Sequence, residues 1–285
     1  VLVSAIEHSS VLETTTLLKQ YGVEVDIIPV DRTGKVDIER YKAMFKSYTF
    51  LVVIMFANNE LGTIQQLSEC AEIAHQHGSL LHSDGVQALG KIAIDVNALT
   101  VDFMAFSSHK VYAPKGVGVL YVKNEELLRP LLFGGMHERG LRASTENIPT
   151  ILAFELALNA IDVNHYQQYT AELKTCFIGK LKKIAGVSIN GPQDEHALTN
   201  TVSVSFAGCD GQALAMNCDL AGIDVSTGSA CSVGSIEPSH VLAAIGLDED
   251  QNKSSLRFSF GLTNTKKDID YVVSTLKDIV DRLVQ

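Results

Sequence analysis

The stretch VDFMAFSSHK, residues 101–110, decides how this chain folds. Five of the six residues from Val101 to Phe106 are apolar, with Asp102 the exception. That composition predicts a strand buried on both faces of a parallel sheet. The run ends abruptly in Ser107, Ser108, His109 and Lys110, and Pro114 and Gly116 stop further regular structure. An ammonium at the mouth of such a strand is partly desolvated, which lowers its pKa and makes the free amine a nucleophile toward aldehydes. A surface-loop lysine is the commoner role for any single lysine. The rest of the chain decides against it.

Upstream the pattern is strand, helix, strand. After an opening strand in VLVSA, Ser10-Val11-Leu12-Glu13 predicts a capping box for a helix that carries Leu17 and Leu18 and stops at Gly22. Val23 to Val30 is the next strand. A helix from about Asp37 to Ser47 leads into the apolar strand Phe50 to Phe56, which ends in Asn58-Asn59-Glu60. A helix starting near Ser68 stops at Gly78, and Leu80-Leu81 forms a strand ending at His82-Ser83-Asp84-Gly85, with Gln87 one turn on. Right-handed crossovers place the C-terminal ends of these strands on one edge of a parallel sheet, where open α/β sheets bind ligands. His8, Asn59, Asp84 and Lys110 therefore converge. Singly, His8 reads as a satisfied polar group near a helix start and the Asn pair as turn formers. Convergence favours a site.

Downstream, Val117 to Val122 returns as a strand, with Gly116 and Gly118 allowing close backbone approach. Residues 134–147 are a polar loop whose Arg139, Arg142 and hydroxyls could grip a phosphate or a carboxylate, or simply be solvated. Pro149 opens a long helix, and the composition changes at its end. The expected division is a large unit over residues 1–158 and a smaller α+β unit over 159–285. In the latter, helices from about Tyr166 to Ile184 and Gln212 to Ala221, strands at Val187–Asn190 and Thr201–Phe206, and a one-faced final helix from near Thr265 are expected. Between them, residues 226–235 (STGSACSVGS) are small, polar and glycine-rich, the composition of a mobile loop with an accessible thiol at Cys231. Arg257 sits on a predicted strand among apolar neighbours and calls for a carboxylate partner.

Composition closes off other classes. Twenty-three basic against 33 acidic residues, net −10, leave nucleic-acid binding without electrostatic support. No apolar run approaches membrane-spanning length and no secretory signal is evident. Five irregularly spaced cysteines fit neither a disulfide framework nor a metal site and suit a reducing cytoplasm. The opening VLVSA reads as mid-strand without an initiator methionine, so residues upstream are expected to be missing from the large unit.

A lysine and an aspartate on neighbouring strand ends, hydroxyls beside the lysine and a ring to stack form the set that pyridoxal phosphate requires. Lys110 would bond the cofactor's aldehyde carbon and Asp84 would pair with its ring nitrogen. Ser107 and His109 would hold its phosphate, Gln87 would donate to its phenolate oxygen, and His8 would stack on the ring and move protons.

The motifs resemble the cysteine desulfurases, in the branch similar to bacterial NifS and IscS proteins within the class-V aminotransferases. They are EHSSVLET at 7–14, NNELGTIQ at 58–65, HSDGVQALGK at 82–91, FSSHKVYAPKGVGVLY at 106–121, HERGLRASTEN at 137–147, STGSACSVGSIEPSHVL at 226–242 and LRFSFG at 256–261. They run in family order along the whole chain. The resemblance implies the fold type I architecture of pyridoxal-phosphate enzymes, a mostly parallel α/β sheet flanked by helices with a smaller α+β domain. It implies Lys110 as the cofactor lysine, Cys231 as the persulfide cysteine and His8 as a further catalytic residue. Asn59, Asp84, Gln87, Ser107 and His109 would be cofactor contacts, and Arg257 with Asn59 would hold the substrate carboxylate. Thr145 falls on a position that reaches the phosphate of a partner subunit, implying a homodimer. The implied reaction takes sulfur from L-cysteine, leaves L-alanine and passes the persulfide to an iron–sulfur scaffold or a tRNA-thiolation relay.

Departures are visible as well. The family's upstream small-Thr-Glu phosphate motif has no match here, Leu262 stands where an arginine is common, and Ser83 and Gly85 flank Asp84 where Thr or Val and Ala are usual. The alternatives are a selenocysteine lyase, another class-V reaction such as transamination, or an inactive truncated chain that serves as a binding or assembly module. Cys231 argues against transamination, which needs no nucleophilic thiol. A dinucleotide-binding protein lacks its GxGxxG after the first strand.

Overall fold

The structure, a computed structural model, describes residues 1–227 and 238–284. Strands β1 (Leu2–Ser4), β2 (Asp26–Ile28), β3 (Leu51–Val53), β4 (Leu80–Asp84), β5 (Phe103–Ser107) and β6 (Gly118–Val122) form one sheet in the order β2-β1-β3-β4-β5-β6. β1 to β5 are parallel, and β6 closes the edge antiparallel to β5. β6 can approach closely because Gly118 has no Cβ; one placed there would lie 2.9 Å from the Phe106 carbonyl oxygen.

Crossover helices α1 (Ser9–Gln20), α2 (Ile38–Ala43) and α3 (Leu67–Gln76) and the short α4 (Val96–Leu99) link the strands. One sheet face packs Leu2, Val52, Leu81 and Met104 against Tyr41 of α2 and Leu67, Cys70, Ala71 and Ala74 of α3. The other packs Val1, Val3 and Val53 against Val11 and Leu12 of α1. Truncating a buried leucine such as Leu81 to alanine in such a core costs about 2–5 kcal/mol.

Two local expectations change. The Ser10–Glu13 capping box does not form; His8 caps α1, its Nδ1 accepting from the Ser10 N–H at 3.2 Å. Starting the helix at Ser9 makes the imidazole, rather than a hydroxyl, the acceptor for the exposed first turn. The strands are also shorter than the apolar runs, since Ile54, Met55 and Phe56 continue past β3 as an irregular segment whose N–H groups still bond to β4, Ile54 to the His82 carbonyl and Phe56 to that of Asp84. Asp102, the polar intruder beside β5, accepts from the Leu81 N–H and faces His75 Nε2, both at 2.8 Å. It is a buried structural group.

Helix α5 (Ile148–Ala160), with Pro149 in its first turn, leads to α6 (Val163–Leu181). A second, antiparallel sheet follows, from β7 (Val187–Asn190), β8 (Thr201–Phe206), β9 (Ser226–Thr227) and β10 (Ser255–Ser259), ordered β7-β8-β10-β9. It packs Val204, Phe206 and Phe258 onto Phe177 of α6, Leu214 of α7 (Gly211–Leu220) and Leu276 of α10 (Lys266–Leu283). Thr265 and Asp268 complete a capping box on α10. Short helices α8 (His240–Ala244) and α9 (Glu249–Lys253) lie between β9 and β10. Val241, Leu242 and Ile245 pack on Ile6, Met55 and Leu61, an apolar joint between α8 and the strand ends of the parallel sheet. Among the described residues no helix is long and apolar enough to cross a membrane.

Candidate active site

The parallel strands deliver their polar ends to one edge. Phe56 and Gly85 donate to the carbonyls of Asp84 (2.9 Å) and Ala105 (2.8 Å), so the segments leaving β3, β4 and β5 stay in register to the last residue. The Asn pair divides its labour. Asn58 is structural: its Nδ2 donates to the Ile6 carbonyl at 2.9 Å, and its Oδ1 accepts from the N–H groups of Glu60 and Leu61. Asn59 is left over, its Oδ1 buried with no partner among the described residues.

Asp84 Oδ1 accepts from Val86 N at 2.8 Å, and Oδ2 takes no hydrogen bond among the described residues. Gly85 follows because Phe106 comes so close: a Cβ there would lie 2.5 Å from the ring. Ser107 Oγ and His109 Nδ1 are 2.7 Å apart on the turn carrying Lys110. Desolvation, then the Lys110 and Lys115 ammoniums, lower the His109 imidazole. Lys110 is exposed at the end of the short turn Ser108–Lys110 that leaves β5, and is not tucked into the strand mouth.

The second sheet contributes Arg257 of β10. Among the described residues it pairs with no carboxylate; its Nη1 donates to the Asn59 carbonyl at 2.9 Å, and its Nε is buried without a partner there. Thr145 is exposed on the loop before α5 and bonds to none of the other described candidates. Cys231 lies outside the described residues.

Four more residues belong to this edge and were not singled out from sequence. Glu7 is fully buried, and burial, with the Asp84 charge adding to it, raises its carboxyl to about 8 despite the Met55 N–H it accepts. Glu60, also buried and raised by desolvation, accepts from Ser239 Oγ at 2.6 Å. His240 Nε2 meets the Glu7 carbonyl at 2.8 Å. At this edge Lys91 is an amine that burial depresses, to about 8, with the Lys110 and Arg257 charges acting the same way. Its one sequence signal is the spacing of four from Gln87, which returns a side chain to the same face of a turn.

Orphaned polar atoms on Asn59 and Arg257, an open carboxylate oxygen on Asp84 and a hydroxyl–imidazole pair beside a lysine fit an anionic, aromatic aldehyde cofactor. A profile of the Aminotransferase class-V family matches residues 1–272. The chain belongs to the class-V aminotransferases.

Its class-V relatives include cysteine desulfurase IscS of Dictyoglomus turgidum, 40% identical over 288 residues, covering 99% of this chain and 72% of that protein. Cysteine desulfurase IscS 1 of Archaeoglobus fulgidus is 39% identical, covering 99% and 74%. Among solved structures, a NifS-like protein superposes with a TM-score of 0.91 at 35% identity over 99% of this chain and 74% of its own. A structure described as SspA in complex with cysteine superposes with a TM-score of 0.79 at 31% identity, covering 93% and 74%. The α/β architecture is that of fold type I class-V enzymes, a mostly parallel sheet flanked by helices.

Proposed function

We propose that this protein is a cysteine desulfurase that uses pyridoxal phosphate to convert L-cysteine to L-alanine and keeps the sulfur as a persulfide on Cys231. The observation that carries this reading is Arg257. A half-buried guanidinium from the second sheet reaches the end of the parallel sheet at Asn59 and retains an orphaned Nε there. A planar donor fork that pairs with no carboxylate among the described residues suits a substrate carboxylate. The relatives named cysteine desulfurase support the same reading.

When bound, pyridoxal phosphate supplies an electron sink for the charge left as the substrate's α-proton departs. Lys110 Nζ would hold its aldehyde carbon and would be the base that takes that proton. Asp84 Oδ2 would pair with the ring nitrogen, Gln87 would donate to the phenolic oxygen, and Ser107 and His109 would hold the phosphate. His8 would stack on the ring face and move protons. Arg257 and Asn59 orient the substrate carboxylate. The Cys231 thiolate attacks the substrate sulfur; an S–S bond forms as the carbon–sulfur bond breaks, and the carbon skeleton leaves as L-alanine after protonation.

The cofactor unit is assigned to residues 1–158 and the smaller unit to 159–285. A homodimer would cover the exposed Leu131, Phe133 and Met136 beside Thr145 and the exposed Leu152 and Leu156 of α5. The free thiols of Cys70, Cys176, Cys209 and Cys218 support a reducing cytoplasm. The acceptor of the persulfide would be an iron–sulfur scaffold or a tRNA-thiolation relay.

The deciding experiment supplies the protein with pyridoxal phosphate, L-cysteine and a thiol reductant and measures alanine and sulfide together. Equal amounts of the two are expected. Pyruvate and ammonia in place of alanine would overturn the reading.

A further inference from the structure

Lys91 is 8% exposed at the end of the turn that leaves β4. Its Nζ donates to the Gln87 carbonyl at 3.1 Å and to Gln87 Oε1 at 2.9 Å. Among the described residues, the charged groups that act on it are Lys110 and Arg257, both cationic. Burying an ammonium without a counter-ion, beside two more positive groups, is a poor way to stabilise a fold; an apolar side chain of similar length would serve the packing better. Stability therefore does not explain Lys91.

Hydrogen-bond chemistry does. An ammonium only donates, so the end of the Gln87 amide that meets it must be the oxygen. The amide nitrogen is then the end left over, and it makes no hydrogen bond among the described residues. Without Lys91, a glutamine can turn its amide over and offer an acceptor instead.

We propose that Lys91 is a positioning residue that locks the Gln87 amide, so that Gln87 presents only a donor to the anionic phenolic oxygen of the cofactor. The inference rests on the reading of Gln87 as a cofactor contact. The ammonium polarises the amide through Oε1, which strengthens the donor at the other end.

The test is the pH titration of the bound cofactor's visible absorbance band. A donor on the phenolic oxygen favours its anion, so removing the donor makes the nearby proton harder to lose. Gln87→Leu is expected to raise the midpoint by about 1 pH unit. Lys91→Met is expected to raise it by at least half as much. The double variant is expected to match Gln87→Leu alone, because Lys91 acts through Gln87. Should Lys91→Met not fold, Lys91→Arg keeps a donor-only end and is expected to keep the wild-type midpoint.

An unshifted Lys91→Met beside a shifted Gln87→Leu would overturn the proposal. So would additive shifts in the double variant, which would make Lys91 an independent charge, and so would Lys91→Arg moving as far as Gln87→Leu. An unshifted Gln87→Leu, or a protein that takes up no cofactor, would remove the underlying reading of Gln87 instead.

Discussion

Glu7 Oε1 accepts the backbone N–H of Met55 at 2.5 Å, tying the end of β1 to the segment beyond β3, while Oε2 is buried with no partner among the described residues. Burial, then the Asp84 charge, raises this carboxyl to about 8. It is therefore neutral in the fold at neutral pH. An acid whose folded pKa lies above its unfolded value, 4.5 here, stabilises the fold fully below that value. Its contribution falls as pH rises from 4.5 and is gone above about 8. Urea denaturation of Glu7→Gln between pH 5 and 9, a range of about 4 units around neutrality, should show a flatter stability profile than wild type. Glu7→Ala, which leaves the Met55 N–H unpaired, should cost about 1–3 kcal/mol.

Ser239 holds α8 in two ways. Its Oγ accepts from the N–H groups of Val241 and Leu242 as the helix cap, and it donates to the buried Glu60 Oε2. Ser239→Ala should lower stability by about 1–3 kcal/mol. In Glu60→Gln the penalty for losing Ser239 should be smaller, as a double-mutant cycle by chemical denaturation would show. Equal penalties in the two backgrounds would mean that the contact carries no energy.

Arg257 separates substrate grip from cofactor uptake. Arg257→Ala should keep the yellow colour of the bound cofactor and lose about 10- to 100-fold in kcat/KM for L-cysteine, the range for a hydrogen bond to a charged group. Most of that loss should fall on KM. A variant whose KM is unchanged would place the substrate carboxylate elsewhere.

The amine and the thiol should fail in different ways. Lys110→Ala should lose the visible band. Cys231→Ala should keep the band and still bind L-cysteine, with sulfide release falling below about 1% of wild type. Normal turnover in the thiol variant would end its assignment as the persulfide residue.

Sequence periodicity alone determined the strand–helix beat and, through crossover handedness, the shared edge that holds His8, Asn59, Asp84 and the turn to Lys110. These are local backbone signals, carried by apolar spacing and by polar residues where each strand stops. Tertiary structure decided what each group meets there. Asn58 knits β1 to the turn after β3 while the Asn59 side-chain oxygen finds no partner among the described residues. Lys91 is buried on Gln87 while Lys110 is exposed. Arg257 finds the carbonyl of Asn59, 198 residues away in sequence, and Glu7 sinks into the joint. Burial and partnership depend on segments that come together only when the chain closes, and no window of neighbouring residues contains that information.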